Sequence, residues 1–285
     1  MNASATFTHA ILQVAAKISF GLMSNRAWQK LLTLLALLGL SAAAPWAHAQ
    51  GTIVVSFDIP PGSEFQVGAP VYFDTKVQNS STDPVKVNMG HHGKWNYEFT
   101  IVNSDGSTFH VLPYRKIGPG PRSTITVGPN QTGVRRAIFD DWHTFRQPGE
   151  YTLKVRLTVL LSSSANVSWQ KEFFDDLKVV VGPYDAEKLK ATCEKLAETA
   201  LNAAGPAAAA DASLALSYVG DPVAIPFQAA ILRQGSNAAR ANAVRGLAKI
   251  GNLEAKEALR AGLEHADPEL RARIESALTQ FPPGI

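Results

Sequence analysis

The chain has 285 residues, 46% hydrophobic and 18% charged, which excludes a disordered acidic or basic protein and leaves room for about two domains, each with its own core. Its formal charge of +3 resides in the first 49 residues, because without Lys17, Arg26 and Lys30 the remainder has 24 basic against 24 acidic side chains. A neutral chain has no general electrostatic attraction to nucleic acid or an anionic membrane, and the lone Cys193 can close no intrachain disulfide.

Residues 1–49 read as an export signal, with translation starting at Met1 or Met23. Arg26 and Lys30 supply positive charge, Leu31 to Leu40 is a predominantly apolar run, and Ala47-His48-Ala49 fits a small-x-small cleavage site. The run is shorter than the ~20 residues that span a bilayer as a helix, so membrane contact is expected only during export. A retained anchor is the alternative. The expected mature start is Gln50, in the periplasm or the medium of a bacterium. The triplets at Asn79, Asn130 and Asn166 would be glycosylated only in a eukaryotic secretory pathway.

Residues 51–182 alternate with the two-residue period of strands that have one buried and one wet face. Residues 71, 73, 75 and 77 share a face, as do the aromatics of Trp95 to Ile101 and the apolar residues of Tyr151 to Leu157. Turn signals separate these runs at 60–62, 79–84, 104–106, 118–121, 128–130 and 148–149. Seven or eight short strands, including 52–57 and 177–181, predict an antiparallel β-sandwich. Pro148-Gly149-Glu150-Tyr151-Thr152-Leu153 resembles the turn and strand of immunoglobulin-like domains, which implies that the Tyr151 hydroxyl ties the turn back onto the sheet. Gly68 to Val71 and Val77 to Ser81 resemble the second strand of such domains, and within that group the chain weakly resembles the bacterial proteinase-inhibitor type. No reactive loop accompanies that resemblance.

Within the sandwich, His91, His92, His110 and the run Asp140-Asp141-Trp142-His143 are residue types that suit zinc or copper. None of them shows ligand spacing on one element, and adjacent histidines on a strand point oppositely, so metal-free loop residues are expected. Trp95 shares a face with Tyr97 and Phe99 and is expected in the core, whereas Trp142 is a candidate surface contact. The chain has no Gly-x-Ser-x-Gly, His-Glu-x-x-His or phosphate-loop motif.

From residue 184 to 280 the sequence repeats with a shift of 31 residues. Leu216 falls on Leu247 and Leu278, Leu201 on Leu232 and Leu263, Gly220 on Gly251, and Arg240 on Arg271. Such a period marks stacked helix pairs that bury their apolar faces only against neighbours. Helices are expected from Asp185 to Ala203, from Pro206 to Gly220, from Asp221-Pro222 to Arg233, from Ser236 to Ile250, from Asn252 to Glu264, and from Asp267-Pro268 to just before Phe281. Cys193 falls on the apolar face of the first, which is expected to cap the stack. Gly220 to Pro226 and Ala243 to Leu253 resemble HEAT-like repeats of the bacterial phycobilin-lyase type, with Asn252-Leu253 replacing the usual Asp-Pro. The resemblance implies a short α-helical solenoid used as an adaptor.

The expectation is therefore an exported two-domain β + α protein. An antiparallel immunoglobulin-like β-sandwich precedes a HEAT-like solenoid that binds a protein partner, without catalysis, cofactor or metal. Candidate binding residues are Trp142 and the outward Gln228, Glu257, Arg260 and Glu264, whose mixed charge suits a protein better than a nucleic acid. The alternatives are recognition or inhibition through the sandwich loops, and an enzyme that uses the His and Trp residues.

Overall fold

The alternating runs pair into two sheets. The computed structural model describes residues 53–91, 96–111, 122–163 and 168–282; the export pattern of residues 1–49, together with His92 and Trp95, lies outside them. Strand β1 (Ile53–Asp58) pairs with β3 (Tyr72–Asn79), which pairs with β8 (Gln131–Ile138), and all three run antiparallel. In the second sheet the long strands β9 (Gly149–Ser163) and β10 (Ser168–Gly182) form a hairpin. The free side of β9 is shared along its length. Its first half pairs with β5 (Tyr97–Asn103), itself joined to β6 (Thr108–His110), and its second half with β4 (Val85–His91), joined to β7 (Arg122–Val127).

The predicted faces hold. Phe73, Thr75 and Val77 are fully buried and meet Tyr97, Phe99, Leu153, Leu157 and Leu161 from the opposite sheet. Rings of Phe57, Phe73, Tyr97, Phe99 and Phe139 meet mostly edge to face, at 5.0–6.3 Å between centroids for the crossed pairs, the arrangement aromatic quadrupoles favour. The one polar tip in this cluster is satisfied, since the Tyr97 and Thr75 hydroxyls share a hydrogen bond of 2.8 Å. Burial pushes the Tyr97 hydroxyl up to about 12, so it stays neutral. Where β1 passes β10, charged groups cap the backbone: Asp175 accepts from the Phe57 amide at 3.3 Å and Lys171 donates to the Ile53 carbonyl at 3.1 Å. Charged side chains turned toward an edge discourage pairing with another chain.

Six α-helices follow among the described residues: α1 (Ala186–Asn202), α2 (Pro206–Leu216), α3 (Ile225–Gln234), α4 (Asn237–Ile250), α5 (Leu253–Gly262) and α6 (Pro268–Leu278). Successive pairs pack together, and alternate helices form two layers, α1–α3–α5 and α2–α4–α6. Helix α2 stops four residues earlier than Gly220 because the Ser217 hydroxyl and amide turn back onto the carbonyls of its last turn. The 31-residue shift is physical as well as textual. Ser236 and Asp267 cap α4 and α6 through the amides of Ala239 and Leu270, and Asn252 caps α5 through Ala255, so its departure from Asp-Pro leaves the helix start intact. Arg240 and Arg271 each donate at 3.0 Å to the carbonyl eight residues earlier, Leu232 and Leu263, satisfying the ends of α3 and of the 3₁₀ turn after α5. Leu216, Leu232 and Leu247 are buried, whereas Leu201, Leu263 and Leu278 at the ends of the stack are only partly so. No described helix is long and apolar enough to cross a membrane.

The Tyr151 hydroxyl donates to the Gln147 carbonyl at 2.8 Å, closing the Pro148-Gly149 turn as the resemblance implied. Tyr151→Phe is expected to lower stability by about 0.5–1.5 kcal/mol through that one bond. Denaturant melts superimposable on those of the unsubstituted chain would contradict this.

Candidate functional site

Two recesses arise from the way the helices meet their neighbours. The first lies between the outer face of the β3–β8 sheet and helices α1 and α2, with a volume of about 750 Å³. Outward-facing Asp74 accepts a two-pronged pair from Arg136 at 2.9 and 3.0 Å, and that guanidinium lies 5.2 Å over the Tyr72 ring. The Asp74 hydrogen bond holds the Arg136 guanidinium above its ordinary range. Asp211 of α2 sits across the recess, its carboxyl raised by desolvation but drawn down by Arg135 and Arg136.

At one end of this recess the sheets and helices are locked together. Ala69 packs into the helical core, Gln66 donates to the Asp185 carbonyl at 3.1 Å, and Tyr218 donates its hydroxyl to Asp141. Residues Phe65–Gln66 (β2) pair in parallel with the end of β10, so the Gly182-Pro183 link is held in place. Asp140 accepts from the Val71 amide at 2.7 Å. Desolvation nevertheless pushes its carboxyl up to about 6, against the pull of that bond and of Lys249. Burial correspondingly lowers the Lys249 ammonium, which donates to the Tyr218 carbonyl at 2.6 Å.

The second recess is a groove of about 1130 Å³ between α4 and α6. It is lined by residues one repeat apart: Asn242 with Arg273, Arg245 with Ser276, and Lys249 with Gln280. Ala241, Ala248 and Ala272 keep it open, because larger side chains there would fill it. Its cations differ in their partners. Arg273 meets Glu269 at 2.9 Å, whereas the Arg245 guanidinium donates to the neutral Asn242 amide oxygen at 2.8 Å and forms no ion pair among the described residues.

The structure redistributes the residues singled out in the sequence. Glu257, Arg260 and Glu264 are exposed on α5 and the turn after it, as expected. Gln228 is not outward: it is fully buried on α3 and donates to the Leu216 carbonyl at 3.2 Å. The repeat carried the signal, since a shift of 31 places Gln228 between buried Ala197 and buried Leu259. Trp142 is only partly a surface residue, at the border of the first recess. Its indole is half-buried, 5.1 Å from Phe99 and 5.6 Å from Tyr97, with Nε1 out of reach of solvent. The Phe139–Asp141 3₁₀ turn folds it inward onto the core. His110 shares a hydrogen bond with Thr100, and His143 packs among Phe109, Phe139 and Phe145, its pKa lowered by burial and Arg146. Among the described residues no three His, Cys, Asp or Glu side chains gather as a metal-binding group. Cys193 is fully buried and its thiol pushed up to about 12 by desolvation, which makes it a packing residue.

No family model and no curated protein matches the sequence. Solved structures give partial likenesses. The PapD-like domain 7 of human CEP192 is 11% identical over 47% of this chain and 87% of that domain, with a TM-score of 0.28. The fimbrial subunit MyfA from Yersinia enterocolitica, solved with galactose, is 14% identical over 45% of this chain and 98% of its own, with a TM-score of 0.25. Spo0M, a sporulation control protein from Bacillus subtilis, is 11% identical over 52% and 55%, with a TM-score of 0.22. All three scores are too low to transfer a fold family or a function to this chain.

Two consequences are measurable. A Cβ on Gly246 would collide with the Gln228 side chain, so Gly246→Ala is expected to cost about 1–3 kcal/mol by overpacking, although helix propensity alone favours alanine by about 1 kcal/mol. Adding Gln228→Ala should recover part of the loss, and urea unfolding of the single and double variants checks it. Because the folded-state pKa of Asp140 is raised, the associated stability is present below about pH 4 and is lost as pH rises through about 6. Asp140→Asn should therefore gain on the unsubstituted chain progressively across that window. A pH-independent difference in melting would overturn the assignment.

Proposed function

We propose that this chain is an exported, non-catalytic adaptor: an immunoglobulin-like sandwich carrying a short HEAT-like solenoid whose helical surface binds a protein partner. The observation that carries this reading is the α4–α6 groove, an open recess built from repeat-related positions rather than from a convergent set of reactive groups. Stacked helix pairs give extended surfaces of this sort, and their function is ordinarily recognition. The sandwich supports the stack by covering its first helices through Ala69, Gln66 and the Asp141–Tyr218 bond. Export rests on the pattern of Arg26 to Ala49, and an unreactive, buried Cys193 suits a periplasmic or secreted setting. The helical surface offers two faces to a partner: the groove, and the exposed Glu257, Arg260 and Glu264 of the other layer.

Affinity capture from native cell-envelope extract, with the chain beginning at Gln50, tests the reading. The captured partner should be lost on charge reversal of one helical face, either Arg245→Glu or Glu257→Lys with Arg260→Glu, and kept with Phe174→Ser on the outer face of β10. Melting temperatures should stay unchanged, since exposed charges contribute only about 0–1 kcal/mol. A partner that survives both helical changes and is lost with Phe174→Ser belongs to the sandwich. N-terminal sequencing of the natively produced protein that recovered residues ahead of Gln50 would remove the export part.

A further inference from the structure

We infer that the α4–α6 groove binds an acidic, extended peptide segment of a partner protein. This rests on the adaptor reading and names the partner chemistry at its site. The groove brings three cations, Arg245, Lys249 and Arg273, against one carboxylate, Glu269, which Arg273 already occupies at 2.9 Å. The Arg245 guanidinium meets the neutral Asn242 amide at 2.8 Å, and the Lys249 ammonium meets the Tyr218 carbonyl and lies 5.4 Å from the Tyr218 ring. No described residue of the groove other than Glu269 carries a negative charge. Asp140 is the carboxylate that acts on Lys249 from the sandwich side, and the Val71 amide already binds it. The recess therefore presents a net positive charge, whereas the α5 side carries both signs, with Glu254, Glu257 and Glu264 beside Lys256 and Arg260.

Shape and chemistry agree. Alanines along the floor leave room for a backbone to lie between the helices, and Asn242, Ser276 and Gln280 supply neutral donors and acceptors beside it. Helix α4 has 14 residues, so it spans roughly 21 Å and faces about six residues of extended chain. Carboxylates spaced along such a segment would meet Arg245 in the two-pronged geometry a guanidinium offers, with Lys249 as a second point of charge. A polynucleotide is disfavoured by the shortness of the basic run and the carboxylate of Glu269 within it.

The probe is a fluorescein-labelled peptide of alternating glutamate and serine, about ten residues long, with a lysine-serine peptide as its opposite. Anisotropy with the full chain should show binding of the acidic peptide alone, weakened by added salt. Arg245→Glu should raise its Kd at least about tenfold, and Ala272→Trp, which narrows the groove from its α6 side and leaves every charge in place, at least about fivefold. Lys190→Glu, on exposed α1, should leave the Kd within about twofold. Equal weakening by Lys190→Glu and Arg245→Glu would mean diffuse attraction and would overturn the site, as would indifference to Ala272→Trp. Self-association in sedimentation that Arg245→Glu abolishes would give the groove to a second copy of this chain instead. Envelope capture that persists with Arg245→Glu but fails with Glu257→Lys and Arg260→Glu would sink this inference and leave the adaptor reading standing. Capture lost only with Phe174→Ser would sink both.

Discussion

A helix pair repeating every 31 residues cannot bury its own apolar face, and that constraint governs the molecule from Ala186 onward. Leu232 and Leu247 are sealed only because α3 and α4 have neighbours on both sides. The first and last members of the stack need other covers. At the beginning, α1 lays Leu189, Cys193 and Ala200 on the inner side while Ala69 reaches in from the sheets. At the end, Phe281 folds back into the helical core, with the Lys256 ammonium 5.9 Å from its ring. The sandwich thus supplies part of the cap, and the contact is structural before it is anything else.

Closing that contact takes polar groups out of water. Asp140, Asp141, Tyr218 and Lys249 meet where the 3₁₀ turn after β8 touches the end of α2, and they satisfy one another and the Val71 amide. Burial still disfavours the charged forms of Asp140 and Lys249, so the seam carries an electrostatic penalty at neutral pH. Lys249 belongs both to this seam and to the edge of the α4–α6 groove.

Packing draws inward two side chains that the sequence placed toward the surface, Gln228 wholly and Trp142 in part. Gln228 looks like a surface residue, yet its repeat partners are Ala197 and Leu259, both buried, and Gly246 is the gap that admits its amide. Trp142 follows two aspartates in a loop-like run, but a 3₁₀ turn rotates its ring onto Phe99 and Tyr97. In both cases packing overrode local chemistry, because shape complementarity in a dense interior outweighs the preference of a single side chain.

What the sequence by itself determined is what short-range physics controls. Strand alternation, the Asp185, Ser236, Asn252 and Asp267 caps, the left-handed Gly251 ending α4, and the hydroxyl of Tyr151 closing its turn each depend on residues a few positions apart. The repeat spacing extends that reach to neighbouring helix pairs, which is why Arg240 and Arg271 land on matching carbonyls. Tertiary structure decided the rest. The Asp74–Arg136 pair joins residues 62 positions apart, and the Asp141–Tyr218 bond joins residues 77 apart. The sharing of β9 between β4 and β5, and the groove between α4 and α6, likewise follow from chain packing across long separations. Periodicity identifies which face of an element is apolar, whereas the partner for that face is chosen by the global arrangement that leaves the least apolar surface and the fewest polar groups unsatisfied.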